Sequence, residues 1–173
     1  MLKPIFIRTP KYYDNRGYLI DISKSKISSL IKYNFKPKQT LIVKSKKGTI
    51  RGLHGQFKNR QNKLITVLQG EILDVVVDIN IRSKNYGKIE YFEMTSKTNK
   101  SLFIPHGFLH GYQVISNSSI ICYSIDSDYK KKNQISINPL DADLKIKWIK
   151  QPLKILSRKD NEAKSFRWLK KYL

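Results

Sequence analysis

Two short stretches set imidazoles among glycines. The first is Gly48-Thr49-Ile50-Arg51-Gly52-Leu53-His54-Gly55-Gln56, and the second is Pro105-His106-Gly107-Phe108-Leu109-His110-Gly111. A histidine changes protonation state near neutral pH, so His54 and His110 could move protons or ligate a metal. The competing reading is a strand histidine whose ring is simply satisfied by hydrogen bonds inside a core.

The elements that must carry these side chains read as strands. Apolar runs rich in Ile, Val, Tyr and Phe recur at Pro4–Arg8, Gly17–Ile22, Thr40–Lys44, Leu64–Leu68, Ile72–Ile79, Lys88–Met94, Leu102–Pro105 and Ser118–Ile125. Turn formers such as Lys46-Lys47-Gly48, Gln69-Gly70, Ser83-Lys84-Asn85-Tyr86-Gly87 and Ser116-Asn117-Ser118 separate them. Short strands at this spacing predict an all-β sandwich or barrel. Helical spacing is confined to Ser25–Tyr33 and Glu162–Leu173, both expected at the periphery. With no linker of domain length and no internal repeat, residues 1–173 are expected to form one domain.

Composition narrows the function classes. The net charge of +21 favours an anionic ligand, but the lysines are scattered rather than gathered on one element. No helix-turn-helix, zinc-finger or RNA-recognition pattern is present, so nucleic acid is not the expected partner. The lone Cys122 lies in an apolar run and cannot form an internal disulfide, which fits a reducing compartment. No stretch approaches the length of a membrane span, and a cytoplasmic protein is expected.

The paired histidine motifs resemble those of the cupin β-barrel, a double-stranded β-helix or jelly roll. In metal-binding cupins the first motif ends His-x-His and a Glu follows, but here Gln56 stands at the second histidine and Arg60 near the Glu. An arginine cannot serve as a ligand, so no catalytic metal is expected and the imidazoles are free for proton transfer. A metal-dependent cupin oxygenase is thereby disfavoured.

A longer colinear resemblance covers about residues 5 to 161. Arg51-Gly52-Leu53-His54, Gln61-Asn62-Lys63-Leu64 and Gln69-Gly70-Glu71-Ile72-Leu73-Asp74-Val75-Val76-Val77-Asp78 resemble the heart of the dTDP-4-dehydrorhamnose 3,5-epimerase family. So do Ile104 to Gly111, Tyr123 to Tyr129, Leu144 to Trp148 and Leu156 to Asp160. The resemblance implies a cofactor-free isomerase acting on a nucleotide-linked 4-keto-6-deoxyhexose, and a homodimer with strands exchanged between subunits.

The same resemblance implies roles for individual residues. His54 would be the general base, with Asp160 orienting its ring. Lys63 would stabilise the enolate, and Tyr123 would return a proton from the opposite face, with Tyr129 as the competing acid. His110, Arg51, Arg16, Gln39, Gln56 and Tyr129 would contact sugar, diphosphate or nucleotide. Structural alternatives stand beside three of these. Asp160 could cap the last helix, Tyr123 could be core, and Lys63 could be a solvated charge. A catalytically silent cupin that binds an anionic sugar nucleotide is the alternative function.

Departures from the family pattern cluster at Leu19, Asp21, Leu41 and Pro139-Leu140-Asp141-Ala142. A further one is Gly55, where an aromatic is usual and whose small size is expected to open space beside the base.

Overall fold

The computed structural model of the chain describes residues 3–22, 34–57 and 61–172. The helix expected over Ser25–Tyr33 lies outside the described residues, as do Arg60 and Leu173. Twelve strands are present among those described: β1 (Ile5–Arg8), β2 (Lys11–Asp14), β3 (Gly17–Ile20), β4 (Gln39–Lys46), β5 (Ile50–Gln56), β6 (Lys63–Gln69), β7 (Glu71–Asp78), β8 (Ile89–Thr95), β9 (Lys100–Ile104), β10 (Phe108–Val114), β11 (Ser118–Ile125) and β12 (Gln134–Ser136). Ten of them form two five-stranded antiparallel sheets, ordered β1-β9-β6-β11-β4 and β12-β5-β10-β7-β8. This is the expected all-β, jelly-roll architecture.

Two apolar layers explain the sequence pattern. Between the sheets, Ile65, Val67, Ile72, Val76, Leu102, Ile104, Tyr112, Val114 and Ile121 form the inner core. Behind the second sheet, Leu53, Leu73, Val75, Val77, Leu109, Ile135 and Ile137 pack with Leu144 and Leu169 from the last part of the chain. Strand β7 lies between both layers and is buried along nearly its whole length, which is why it reads as an unbroken apolar run rather than an alternation. Fully burying one such aliphatic side chain contributes roughly 1.5–3 kcal/mol.

The last segment wraps the outside of the second sheet. Bridges join Thr49 to Ile155 and Ile137 to Lys164, followed by the helix Phe166–Tyr172, shorter than the expected Glu162–Leu173. Its Leu169 is fully buried. A short helix, Arg158–Asn161, is held against β5 by this arrangement.

The run Gly17–Ile22 proves to be half of a hairpin. Among the described residues strand β3 pairs only with β2, apart from both sheets. The two motif strands β5 and β10 were hidden by their own composition, since glycine and histidine interrupt the apolar alternation that marks a strand.

Candidate active site

One end of the barrel interior remains open as a cavity of about 490 Å³. Strands β5, β6, β10 and β11 point polar side chains into it where the neighbouring inward positions are apolar. His54 and His110 face each other directly across β5 and β10. Lys63 enters from β6 and Tyr123 from β11, with Arg51 nearer the mouth.

Asp160 backs the first imidazole. Its Oδ1 lies 2.7 Å from His54 Nε2, across a separation of 106 residues. An Nε2–H that donates to this carboxylate leaves the lone pair on the other ring nitrogen, the form a general base requires. Burial alone would raise the Asp160 carboxyl; its hydrogen bond to His54, the imidazole charge, and contacts with Ser157 and the Gly52 N–H outweigh that and hold it below the usual range. The helix-capping role belongs to Ser157, whose hydroxyl accepts from the Asp160 N–H, so the Asp160 side chain is left for His54.

The second imidazole has a carboxylate of its own. His110 Nε2 is 2.7 Å from Asp74 Oδ2, and both side chains are buried. Burial lowers the His110 pKa, partly countered by Asp74, and burial raises the Asp74 carboxyl. Lys63 is nearly as enclosed, and its Nζ donates to the His54 carbonyl oxygen at 3.2 Å. Desolvation brings its ammonium down to about 8, with Asp74 opposing the change. A buried cation held in place by a hydrogen bond is suited to stabilise oxyanion charge.

Tyr123 packs its ring edge-on against His110, with centroids 5.9 Å apart. Burial drives its phenol well above the ordinary value, and the neighbouring Tyr112 and Asp74 add to the rise. The group therefore stays protonated at neutral pH and is suited to give up a proton rather than to take one. Among the described residues, no cluster of three His, Cys, Asp or Glu side chains could hold a metal ion.

Both the sequence and the fold resemble known proteins. A family model for dTDP-4-dehydrorhamnose 3,5-epimerase covers residues 2–167. The dTDP-4-dehydrorhamnose 3,5-epimerase of Methanothermobacter thermautotrophicus is 32% identical over 168 residues, spanning 94% of this chain and 89% of its own length. The chain belongs to the dTDP-4-dehydrorhamnose 3,5-epimerase family. Among solved structures, the epimerase of Elizabethkingia anophelis superposes with a TM-score of 0.85 at 34% identity, covering 95% of this chain and 91% of that one. The dTDP-6-deoxy-D-glucose-3,5-epimerase of Legionella pneumophila, in complex with dTDP-4-keto-L-rhamnose, gives a TM-score of 0.88 at 32% identity, with coverages of 95% and 88%.

Within this epimerase family member, the cavity gathers His54, Asp160, Lys63, Tyr123, His110, Arg51, Gln39, Gln56 and Tyr129. Gln39 Oε1 and Gln56 Oε1 are buried there without a hydrogen-bond partner among the described residues. Tyr129 sits half exposed at the rim, with its hydroxyl donated to Gln134. Arg16 does not join the cavity of its own chain. It lies at the tip of the β2–β3 hairpin, 86% exposed, with its guanidinium 2.7 Å from Asp14.

Gly55 does not open room beside the base. A Cβ there would lie 3.0 Å from Leu109 Cδ2 and 3.3 Å from the Phe108 carbonyl oxygen, on the outer face of β5. The aromatic that this position lacks would point away from the substrate side.

Three site residues were not singled out from the sequence. Asp74 carried a signal, since an acid inside the run Ile72-Leu73-Asp74-Val75 must be paired if buried. Lys159, next to Asp160, lines the mouth and reaches Gln134 Oε1 at 2.8 Å. Tyr112 carried no signal that distinguishes it from a core aromatic.

Proposed function

We propose that this protein epimerises a dTDP-linked 4-keto-6-deoxyhexose at one or both carbons flanking the C4 ketone, within deoxysugar biosynthesis. His54, oriented by Asp160, takes the proton from the carbon next to the ketone. The electron pair moves into an enolate whose oxygen is met by the Lys63 ammonium, with His110 beside it. Tyr123 delivers its proton to the opposite face of that carbon, and the centre is inverted. Its depth in the cavity favours Tyr123 over the rim residue Tyr129 as donor. No cofactor takes part in this scheme, because every proton is moved by a side chain.

Arg51 and Lys159 would meet the diphosphate at the mouth, the first with a fork suited to two oxygens. The free acceptors of Gln39 and Gln56 suit hydroxyl or N–H groups of the substrate. The carrying observation is the convergence of a carboxylate-backed imidazole, a desolvated lysine and a protonated phenol in one cavity.

A homodimer is part of the proposal. The β2–β3 hairpin exposes Tyr12, Tyr13, Tyr18 and Leu19, and the edge strand β4 exposes Leu41 and Ile42, two apolar surfaces that association would cover. Exchange of the hairpin would carry Arg16 towards the partner's cavity. The residues 1–173 act as one domain in this reading, and a cytoplasmic location agrees with the free, buried Cys122.

The test is to incubate the protein with a dTDP-linked 4-keto-6-deoxyhexose, trap the mixture with borohydride and determine the configuration of the released sugars. Sugars inverted at C3, C5 or both support the proposal. Recovery of the starting configuration at both centres overturns it.

A further inference from the structure

Lys63 is the first residue of β6, and the ladders on both its flanks end with it, pairing it with Ile104 of β9 and Ile125 of β11. Strand ends fray unless what lies beyond them is tied down. The residue after Ile104 is Pro105, which has no N–H to extend a ladder. Asn62 takes over at this point. Its Oδ1 accepts from the His106 backbone N–H at 2.8 Å and, with the ring hydrogen on Nδ1, from the His106 imidazole at 3.2 Å. On the other flank its Nδ2 donates to Asp126 Oδ2 at 2.6 Å, and its backbone N–H donates to Asp126 Oδ1 at 2.8 Å.

These bonds lie one residue away from the cavity. Gln61 and Lys63, on either side of Asn62, line it, and so does Ile125, next to Asp126. His106 belongs to the turn that leads into β10 and so to His110. Asn62 itself is not among the lining residues, and it is 1% exposed. A buried amide is costly unless both its ends are met, so this one specifies a single arrangement of the three segments it joins. The carboxylate of Asp126, receiving two N–H groups from one residue, fixes the orientation of that residue as well as its distance.

We infer that Asn62 is a positioning residue for Lys63: by joining the end of β11 to the turn before β10 across the start of β6, it fixes the backbone from which the ammonium reaches the enolate. A lysine carries its charge on a flexible four-carbon stem, so the head stays in register with a reacting atom only if the root of the stem does. The same placement keeps Lys63 enclosed, in keeping with the low value of about 8 at which its ammonium loses a proton. The inference rests on the proposed role of Lys63 and adds the group that holds it there.

Asn62→Ala removes the side-chain contacts on both flanks. It should lower kcat by about 10- to 100-fold and leave KM within about threefold of wild type, the pattern of a misplaced reacting group rather than a lost binding contact. The alkaline fall in turnover should move up by roughly half a pH unit or more as Lys63 meets more water. The other groups around Lys63 stay in place through this change: His54 and Arg51 from β5, Asp74 from β7, His110 from β10, Tyr123 from β11 and Asp160 from the short helix. A role in stability alone would lower the melting temperature and leave both readings, taken well below it, unmoved. Where Asn62→Ala does not fold, Asn62→Ser, which keeps a hydroxyl at the position, is read by the same two measures. Exchanging the two groups gives a second arm. Asn62→Asp sets two carboxylates together and should impair turnover, whereas adding Asp126→Asn restores a donor facing an acceptor in the same outline and should return kcat to within about threefold of wild type. Unchanged kcat or an unmoved alkaline fall in the folded Asn62 variant, or a folded double variant no better than Asn62→Asp, would overturn the inference. Absence of turnover in the wild type would instead overturn the proposed function on which it rests.

Discussion

The His54 imidazole and the Asp160 carboxylate meet at 2.7 Å because the last segment of the chain folds back over β5. That contact fixes the tautomer of the base and stabilises the imidazolium formed on proton abstraction. Asp160→Asn should therefore lower kcat by roughly 10²- to 10⁴-fold with a smaller change in KM. Steady-state kinetics check this, and a parallel loss confined to KM would assign Asp160 to binding instead.

The same carboxyl links activity to acid stability. Its folded pKa lies below the unfolded value, so its contribution is complete above the unfolded pKa and is lost as pH falls through the folded one. Asp160→Asn should flatten the decline in stability over that acidic window, as followed by urea denaturation at stepped pH.

Lys63 sets a limit at the other side. Its ammonium loses a proton at about 8, so turnover should fall as pH rises through that value. In Lys63→Arg the charge persists, and the alkaline fall attributable to this residue should disappear even though the longer side chain lowers the rate. Stability rises with pH here too, but the charged form destabilises the fold where that of the paired carboxylate stabilises it. Below the folded pKa the buried charge costs stability, and the cost is relieved as pH rises towards the unfolded value. Lys63→Met should accordingly abolish turnover yet denature at a higher midpoint than wild type at pH 7, the trade expected of a functional buried charge.

Arg51 and Tyr129 distinguish binding from chemistry. Arg51→Ala should raise KM by about tenfold or more through loss of a charge-assisted, two-pronged contact. Tyr129→Phe removes one rim hydroxyl and should leave inversion within about threefold of wild type, whereas Tyr123→Phe should lose it. Product configuration measured for both variants decides between the two phenols.

The close approach of β5 and β10 that sets His54 opposite His110 depends on Gly111. A Cβ at that position would stand 2.7 Å from the Arg51 carbonyl oxygen and 2.9 Å from Leu53 Cδ2. Gly111→Ala should cost about 1–3 kcal/mol of stability, the usual penalty for overpacking, and should lower activity by moving the two imidazoles apart. Chemical denaturation together with a kinetic assay tests both.

Much of the barrel was legible because strand runs such as Ile72–Ile79 and Ser118–Ile125 carry the apolar pattern their burial demands. Strands β5 and β10 were legible only through their resemblance to known motifs, since chemistry there displaces the residues that advertise a strand. The union of His54 with Asp160 is a long-range packing event, set by Leu169 and its neighbours behind the second sheet, and no local pattern announces it. The reading of Gly55 failed for a related reason. Sequence position next to His54 suggested proximity to substrate, whereas alternation along β5 turns that residue to the outer face. Tyr112 went unnoticed because a phenol and a phenyl ring pack alike, and only the Ser45 contact separates them.

The central claim is that the imidazole at position 54 removes hydrogen from carbon beside a ketone. Proton NMR of the ketosugar in D2O, with a chelator present, follows this step directly. Wild type should replace the hydrogen at the inverting carbon with deuterium, and His54→Asn should slow that exchange by at least ~10²-fold while still binding dTDP, as judged by thermal shift. Undiminished exchange in the folded, dTDP-binding His54→Asn protein would contradict the account.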